Sequence, residues 1–301
     1  MAYRLDDRRP LGEELRRIGD EQLGRALAAL DGAAPDARES VHAARKRAKK
    51  VRALLRLVRP RMRRRDYRRL NAELRDAARH VSRGRDAAVF PATYDRVRDR
   101  FGDEFDRRGN ASIRGALTRR AKARAESLGD DGALERLEEG LGRARERLGQ
   151  IALSPEDGPD GFDAVLPGFV ATHDRARAAM RTALGAPSPD TFHEWRKHVK
   201  YHRLQLGLLA HAWPGIVGAL HDEARRLGDL LGHAHDLVAL QTHLAAEPEG
   251  LGRPERVEAF VGLAGRLRAE LEAEAGPLGR RLFAEKGARV AKRLARWRAV
   301  G

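Results

Sequence analysis

The chain of 301 residues carries 60 Lys and Arg against 44 Asp and Glu, a net charge of +16 at pH 7, and no cysteine. Without cysteine there is no disulfide, thiolate metal site or cysteine nucleophile, and no apolar run is long enough for a membrane-spanning helix. The charge predicts attraction to polyanions and is silent on fold.

Ala, Leu, Arg and Glu dominate, β-branched residues are sparse, and almost every segment reads with a period of 3.6. An all-α protein is therefore expected. The opening MAYRLDDRRPLGEELRRI lacks the apolar core of a signal peptide, so the expected location is the cytoplasm. Leu11 to Leu30 reads as a first helix, with Leu15, Ile18, Leu23, Leu27 and Leu30 on its apolar side. A basic helix is expected from about Asp36 to Val58, stopped by Pro60. A third follows near Arg61 to Ser82. Beyond Gly84, Asp86 is placed to N-cap a fourth helix, which Pro91 bends near its start. Ser112 to Leu128 and Gly132 to Gln150 read as two more. SPEDGPDG, residues 154–161, has the composition of a linker between two helical bundles, 1–153 and 162–301. In the second bundle, helices are expected over Phe162 to Leu184, through the basic stretch Phe192 to Leu209, over LVALQTHL behind an Asp236 cap, and over Pro254 to Ala275 and Pro277 to Val300.

The stretch Val41 to Pro60, VHAARKRAKKVRALLRLVRP, carries two rows at helical spacing. Val41, Ala44, Ala48, Val51, Leu55 and Val58 form an apolar seam. His42, Arg45, Lys49, Arg52, Arg56 and Arg59 take the same steps one residue later, about 100° around the helix, with members about 5 Å apart along its axis. Between Val41 and Arg69 there are fourteen Lys and Arg and one acid, Asp66, so pairing within the segment cannot neutralise it. Like charges at such spacings cost an isolated helix about 0.2–0.5 kcal/mol per pair.

The pattern recurs. FHEWRKHVKYHRLQLGLL, from Phe192 to Leu209, overlays the first basic stretch at an offset of 151. His193 then falls on His42, Arg196 on Arg45, Lys197 on Lys46, Lys200 on Lys49 and Arg203 on Arg52. Further along, the offset becomes 150, with Arg225 on Arg75, Leu231 on Val81 and Asp236 on Asp86. A period near 150 is too long for a solenoid unit and suits a duplicated helical bundle. Amphipathicity alone would repeat the seam. It would not require the cations to repeat residue by residue.

At these residues, with the trailing LGDLLGHAHDLVAL and the weaker ARHVSRGRDAAVF of the first half, the chain resembles the CHAD family of α-helical domains named for conserved histidines. The resemblance implies two pseudo-symmetric bundles whose basic helices line a shared surface that binds inorganic polyphosphate. It carries His42, Arg45, Lys49, Lys50 and Arg52 onto the family's first basic helix, and His193, Arg196, Lys197, Lys200 and Arg203 onto its second. The second helix departs by having Tyr201 where the first has Lys50, and Leu208 near where the first has Arg56 and Arg59.

Guanidinium groups grip phosphate oxygens in fork geometry and lysines act as point charges, so a mixed ruler suits a flexible polyphosphate. The expected contacts are His42, Arg45, Lys46, Lys49, Lys50, Arg52, Arg56 and Arg75 in the first half. In the second they are His193, Arg196, Lys197, Lys200, Arg203 and Arg225. Non-specific nucleic-acid binding by the same residues is the alternative. Base-specific reading is disfavoured, because aromatic residues are 5% of the chain and the basic rows contain no Phe or Trp on which bases could stack. The second half holds nine of the eleven histidines, and His233 with His235 imitates a metal motif. Their first-half counterparts are Arg83 and Arg85, so no metal or other cofactor is expected. His202 replaces Val51 on the apolar seam and is expected packed and neutral. There is no P-loop, repeated carboxylate pair or nucleophile beside a base, so a binding module is expected rather than an enzyme. A metal-dependent phosphohydrolase using the second-half histidines is the third reading.

Overall fold

The computed structural model describes residues 3–31, 37–102, 104–106, 109–126, 132–153 and 161–300. The described residues form eleven α-helices and no strand. They are α1 Leu11–Leu30, α2 Ala37–Val58, α3 Arg64–His80, α4 Ser82–Arg100, α5 Ala111–Glu126 and α6 Ala133–Gly149. The second half adds α7 Leu166–Gly185, α8 Pro189–Leu208, α9 Pro214–Ala246, α10 Pro254–Leu282 and α11 Gly287–Val300. Short 3₁₀ turns lie at Arg59–Arg61, Asp163–Val165 and Ala210–Ala212.

Local chemistry sets several ends. Pro60 sits in the 3₁₀ turn that closes α2, where its missing N–H costs nothing to a helix already ending. Ser188 opens α8 with a capping box: its hydroxyl accepts the Thr191 N–H at 3.2 Å, and the Thr191 hydroxyl accepts the Ser188 N–H at 3.0 Å.

Three expected boundaries are overturned. The fourth helix starts at Ser82 and not beyond Gly84, so Asp86 lies within it and not at its N-cap position. Asp236 is also interior, because α9 runs unbroken for 33 residues with Pro only at its first position. The break expected at Pro277 falls at Phe283 instead, with Pro277 inside α10. A proline in a helix interior costs about 3 kcal/mol. Beyond it, Gly279 packs so closely on Trp195 that a Cβ there would lie 2.3 Å from the indole, and Ala275 and Leu278 are buried alongside. That packing offsets the lost hydrogen bond. The linker expected at 154–161 falls, up to its last residue, outside the described residues.

The apolar residues gather into three clusters, each drawing on both halves of the sequence or on several helices. The largest unites α1, α2, α3 and α6 with Phe169 of α7, Leu206 and Leu208 of α8, Val217 of α9 and Leu294 of α11. A second joins Phe90, Tyr94, Ile113 and Leu117 of α4 and α5 to Leu240 of α9 and Phe260 of α10. A third surrounds Trp195 with residues of α7, α9 and α10. Residues of α9 enter all three. The two 3₁₀ turns Arg59–Arg61 and Ala210–Ala212 stand 151 residues apart, while the starts of α3 and α9 stand 150 apart. The shift in offset thus falls between turn and helix, where Met62 and Arg63 face a single residue, Trp213.

Gly168 sets the closest approach of α7 to α2. A Cβ there would lie 1.8 Å from the Leu57 carbonyl oxygen and 2.9 Å from that of Arg56. Both are backbone atoms with no rotamer to move. Gly168→Ala is therefore expected to destabilise the fold by about 1–3 kcal/mol, as overpacking does. Urea denaturation followed by circular dichroism checks it, and an unchanged midpoint would mean that α7 lifts off α2 without loss.

Candidate functional site

The apolar seam of α2 is buried throughout, with Val41 the most exposed of its members at 3%. The row one residue later reaches the surface: His42 and Arg59 are exposed, while Arg45, Lys49, Arg52 and Arg56 are half-buried. Lys46 is exposed and Lys50 half-buried. On α8 the seam Phe192, Trp195, Val199, His202 and Leu206 is likewise buried, and His193, Arg196, Lys200 and Arg203 stand half-buried beside it, with Lys197 exposed. The half-burial extends to the guanidinium groups, since the Nε atoms of Arg45, Arg56, Arg196 and Arg203 are themselves covered.

The two basic helices touch. The Gln205 side-chain amide of α8 donates to the Ala53 carbonyl of α2 at 3.3 Å in a buried position. One turn away, the Tyr201 ring of α8 receives two guanidiniums of α2, Arg56 at 4.2 Å and Arg52 at 5.9 Å from its centroid. A lysine at position 201, as at the equivalent Lys50, would add a third cation here. The aromatic face instead attracts both. Arg52 also donates to the Asn71 side-chain oxygen of α3 at 3.1 Å. Burial lowers its pKa, with Tyr201 opposing and Arg56 and Arg75 adding to the fall, but a guanidinium so placed still stays charged near neutrality. Burial likewise lowers Arg203, against the pull of Asp229, with Arg225 contributing.

The expected contacts differ in what holds them. Arg75 is exposed and grips Asp76 through two hydrogen bonds of 2.8 and 3.1 Å. Its counterpart Arg225 faces Asp222 at 3.8 Å, and Lys197 holds Glu194 at 2.6 Å. A ligand reaching these three must displace a carboxylate. His193 is half-buried with its Nδ1 3.3 Å from that of His235, so one ring must donate and the other accept. Burial lowers the His193 pKa, and Arg196 and Lys197 lower it further. His233 and His235 do not act as one pair: His233 Nε2 lies 2.9 Å from Arg96 of α4. Among the described residues, no three His, Asp or Glu side chains are grouped to hold a metal ion. His202 is buried between Phe169, His173 and Phe283, and desolvation keeps it neutral.

Three contacts lay outside the sequence argument, in which His198 figures only for its i,i+4 spacing with His202. His198 sits beside Arg56, and burial and then that guanidinium lower its pKa; its first-half counterpart Arg47 was the available signal. Arg96 reaches His233 only because α4 packs on α9. Tyr3 precedes the first helix, donates its hydroxyl to the Lys50 carbonyl at 2.7 Å, and lies under the Lys50 ammonium at 4.8 Å.

The family model of the CHAD domain matches residues 17–245, from α1 to the end of α9. The chain belongs to the CHAD domain family. No curated protein matches it. Among solved structures it is similar to PptA from Streptomyces chartreusis, with a TM-score of 0.64 and 16% identity over 92% of this chain and 100% of that one. It is also similar to the CHAD domain from the plant Ricinus communis, with a TM-score of 0.58 and 18% identity over 94% and 95% of the two chains. At those identities the likeness is one of fold, and it bears out the all-α architecture of this CHAD protein.

Lys50 gives the site a titration of its own. Desolvation, with Arg47, Lys46 and Arg25 adding to it, lowers its pKa to about 8. The ammonium is therefore charged below that pH and neutral above it. A heteronuclear NMR titration of the lysine side chains is expected to show Lys50 titrating near pH 8, and Arg47→Gln, which removes a neighbouring cation, to move its midpoint upward.

Proposed function

We propose that this CHAD protein binds inorganic polyphosphate through α2 and α8, with Arg75 and Arg225 as outer contacts, and acts as a binding module rather than an enzyme. The observation that carries the reading is the contact between the two basic helices, where Arg52 and Arg56 of one meet Tyr201 and His198 of the other. It brings two cation rows of matching spacing side by side, which suits an extended polymer of repeating phosphates. Family membership supports the same ligand. The matching offsets of α2 with α8 and of α3 with α9 support a duplication, in which 1–153 and 162–301 are the two halves of one unit. Histidines already engaged with Arg96 and His193 speak for binding over hydrolysis. A protein with this ligand would act in the cytoplasm, at polyphosphate granules.

Non-specific nucleic-acid binding uses the same charges, and competition separates the two. Long-chain polyphosphate is expected to displace duplex DNA at equal salt. The variant Arg45→Ala/Lys49→Ala/Arg52→Ala, helical by circular dichroism, is expected to bind far more weakly, with a log–log salt slope shallower by about 2 for three lost phosphate contacts. Equal competition by DNA, or unchanged binding by the variant, would reject the reading.

The histidines add a pH dependence. His193 has a lowered pKa and is neutral at pH 7, so protonation adds a cation only on the acid side of the ordinary imidazole value. Affinity for the polyanion is expected to rise as pH falls through that region, because the anion favours the protonated form. His193→Gln is expected to flatten the rise when binding is measured by calorimetry across pH.

A further inference from the structure

The two corners that occupy equivalent places in the chain have opposite surfaces. Between α2 and α3 the corner is cationic, with Arg59, Arg63, Arg64 and Arg65 all exposed. Between α8 and α9 it reads Ala210 to Ile216 and contains no Lys or Arg. Here Trp213 is 48% and Ile216 41% exposed; with Val300 they are the exposed large hydrophobics among the described residues. A single exposed apolar side chain carries no meaning. These converge. Trp213 packs edge-to-face on Trp297 of α11 with ring centroids 5.4 Å apart, and Val300 follows Trp297 by three residues, on the same side of that helix.

The charge along α11 has one sign, although Asp7 stands at this corner, paired with Arg298 and 3.5 Å from His211. From Gly287 to Val300, α11 contains no Asp or Glu. Val290, Ala291 and Leu294 anchor it in the main core, so its rotation is fixed. At 3.6 residues per turn, Arg289, Arg293, Arg296, Trp297 and Val300 then share an arc of about 100°. Arg289 and Arg296 are exposed. Arg293 pairs with Glu285 at 2.7 Å and lies over the Trp297 ring at 5.6 Å.

We propose that this corner docks on an anionic lipid bilayer. Trp213, Ile216 and Trp297 enter the boundary between headgroups and acyl chains, where amphipathic indoles are favoured. The arginines of α11 meet lipid phosphates beside them. A polyanion in solution would engage the arginines and leave Trp213 and Ile216 in water, whereas a bilayer covers both. A second copy of the chain would oppose arginine to arginine, which like-charge repulsion disfavours.

The test is flotation of the full chain with phosphatidylglycerol/phosphatidylcholine vesicles and with phosphatidylcholine alone, together with tryptophan emission. The chain is expected to float with the anionic vesicles alone and to shift its emission to the blue. Trp213→Ser/Ile216→Ser is expected to weaken binding about ten-fold or more. Ile216→Asp, at an exposed position that leaves the Trp213–Trp297 contact alone, is expected to do likewise. Arg45→Ala/Lys49→Ala/Arg52→Ala is expected to float as the unmodified chain does. The proposal is overturned if the unmodified chain stays with the unbound fraction, or if Ile216→Asp binds unchanged. It is also overturned if the α2 variant alone loses binding, because the vesicles would then be held by the basic helices.

Discussion

A helix that lines up five or six cations on one side repels itself, and the repulsion must be met from outside. In α2 it is met by burial. The seam from Val41 to Val58 is sealed against α1, α3, α7 and α8, so the helix holds its shape through its apolar side, whatever the charged side does. What remains of the repulsion is relieved by specific neighbours, the Tyr201 ring under Arg52 and Arg56 and the Asn71 oxygen at Arg52. A ring face and an amide oxygen offset the repulsion at Arg52 and Arg56 without placing a carboxylate on either.

Carboxylates engage three of the other expected contacts: Asp76 holds Arg75, Asp222 faces Arg225 and Glu194 holds Lys197. Surface ion pairs of this kind are worth little and exchange readily. Arg52 and Arg56 have an aromatic ring and an amide oxygen as neighbours, and Arg75, Arg225 and Lys197 have carboxylate partners that an incoming phosphate can replace.

Periodicity made the helices legible, and the repeated cation spacing made the two basic helices stand out from the others. α1 lies where Leu11 to Leu30 was read, and α2 ends at Val58 ahead of Pro60. The failures came where local signals met tertiary packing. Asp86 and Asp236 look like caps when each is read with its own neighbours, yet both are helix-interior, and Pro277 is carried through α10 because Gly279 fits under Trp195. The site's residue types were visible, but their partners were not. Nothing in the order of residues says that Tyr3 will cover Lys50 or that Arg96 will reach His233, because both contacts depend on how separate helices pack. Tyr201 was noted as a loss of charge. Its use as a seat for two guanidiniums needed the contact between α2 and α8.

A helix of 33 residues extends about 50 Å, and α9 spends that length passing through all three apolar clusters, from Val217 through Leu227 and Leu231 to Leu240. It serves as a common axle. Melting any one cluster would leave part of this helix without its apolar cover, while the rest remained clamped in the other two. Such half-detached states are costly, so the three clusters gain from forming and dissolving together. Among the described residues of the first 153, α3 and α4 divide at Val81. The helix that ties the three clusters together thus follows α8, the basic helix with the fewer charges.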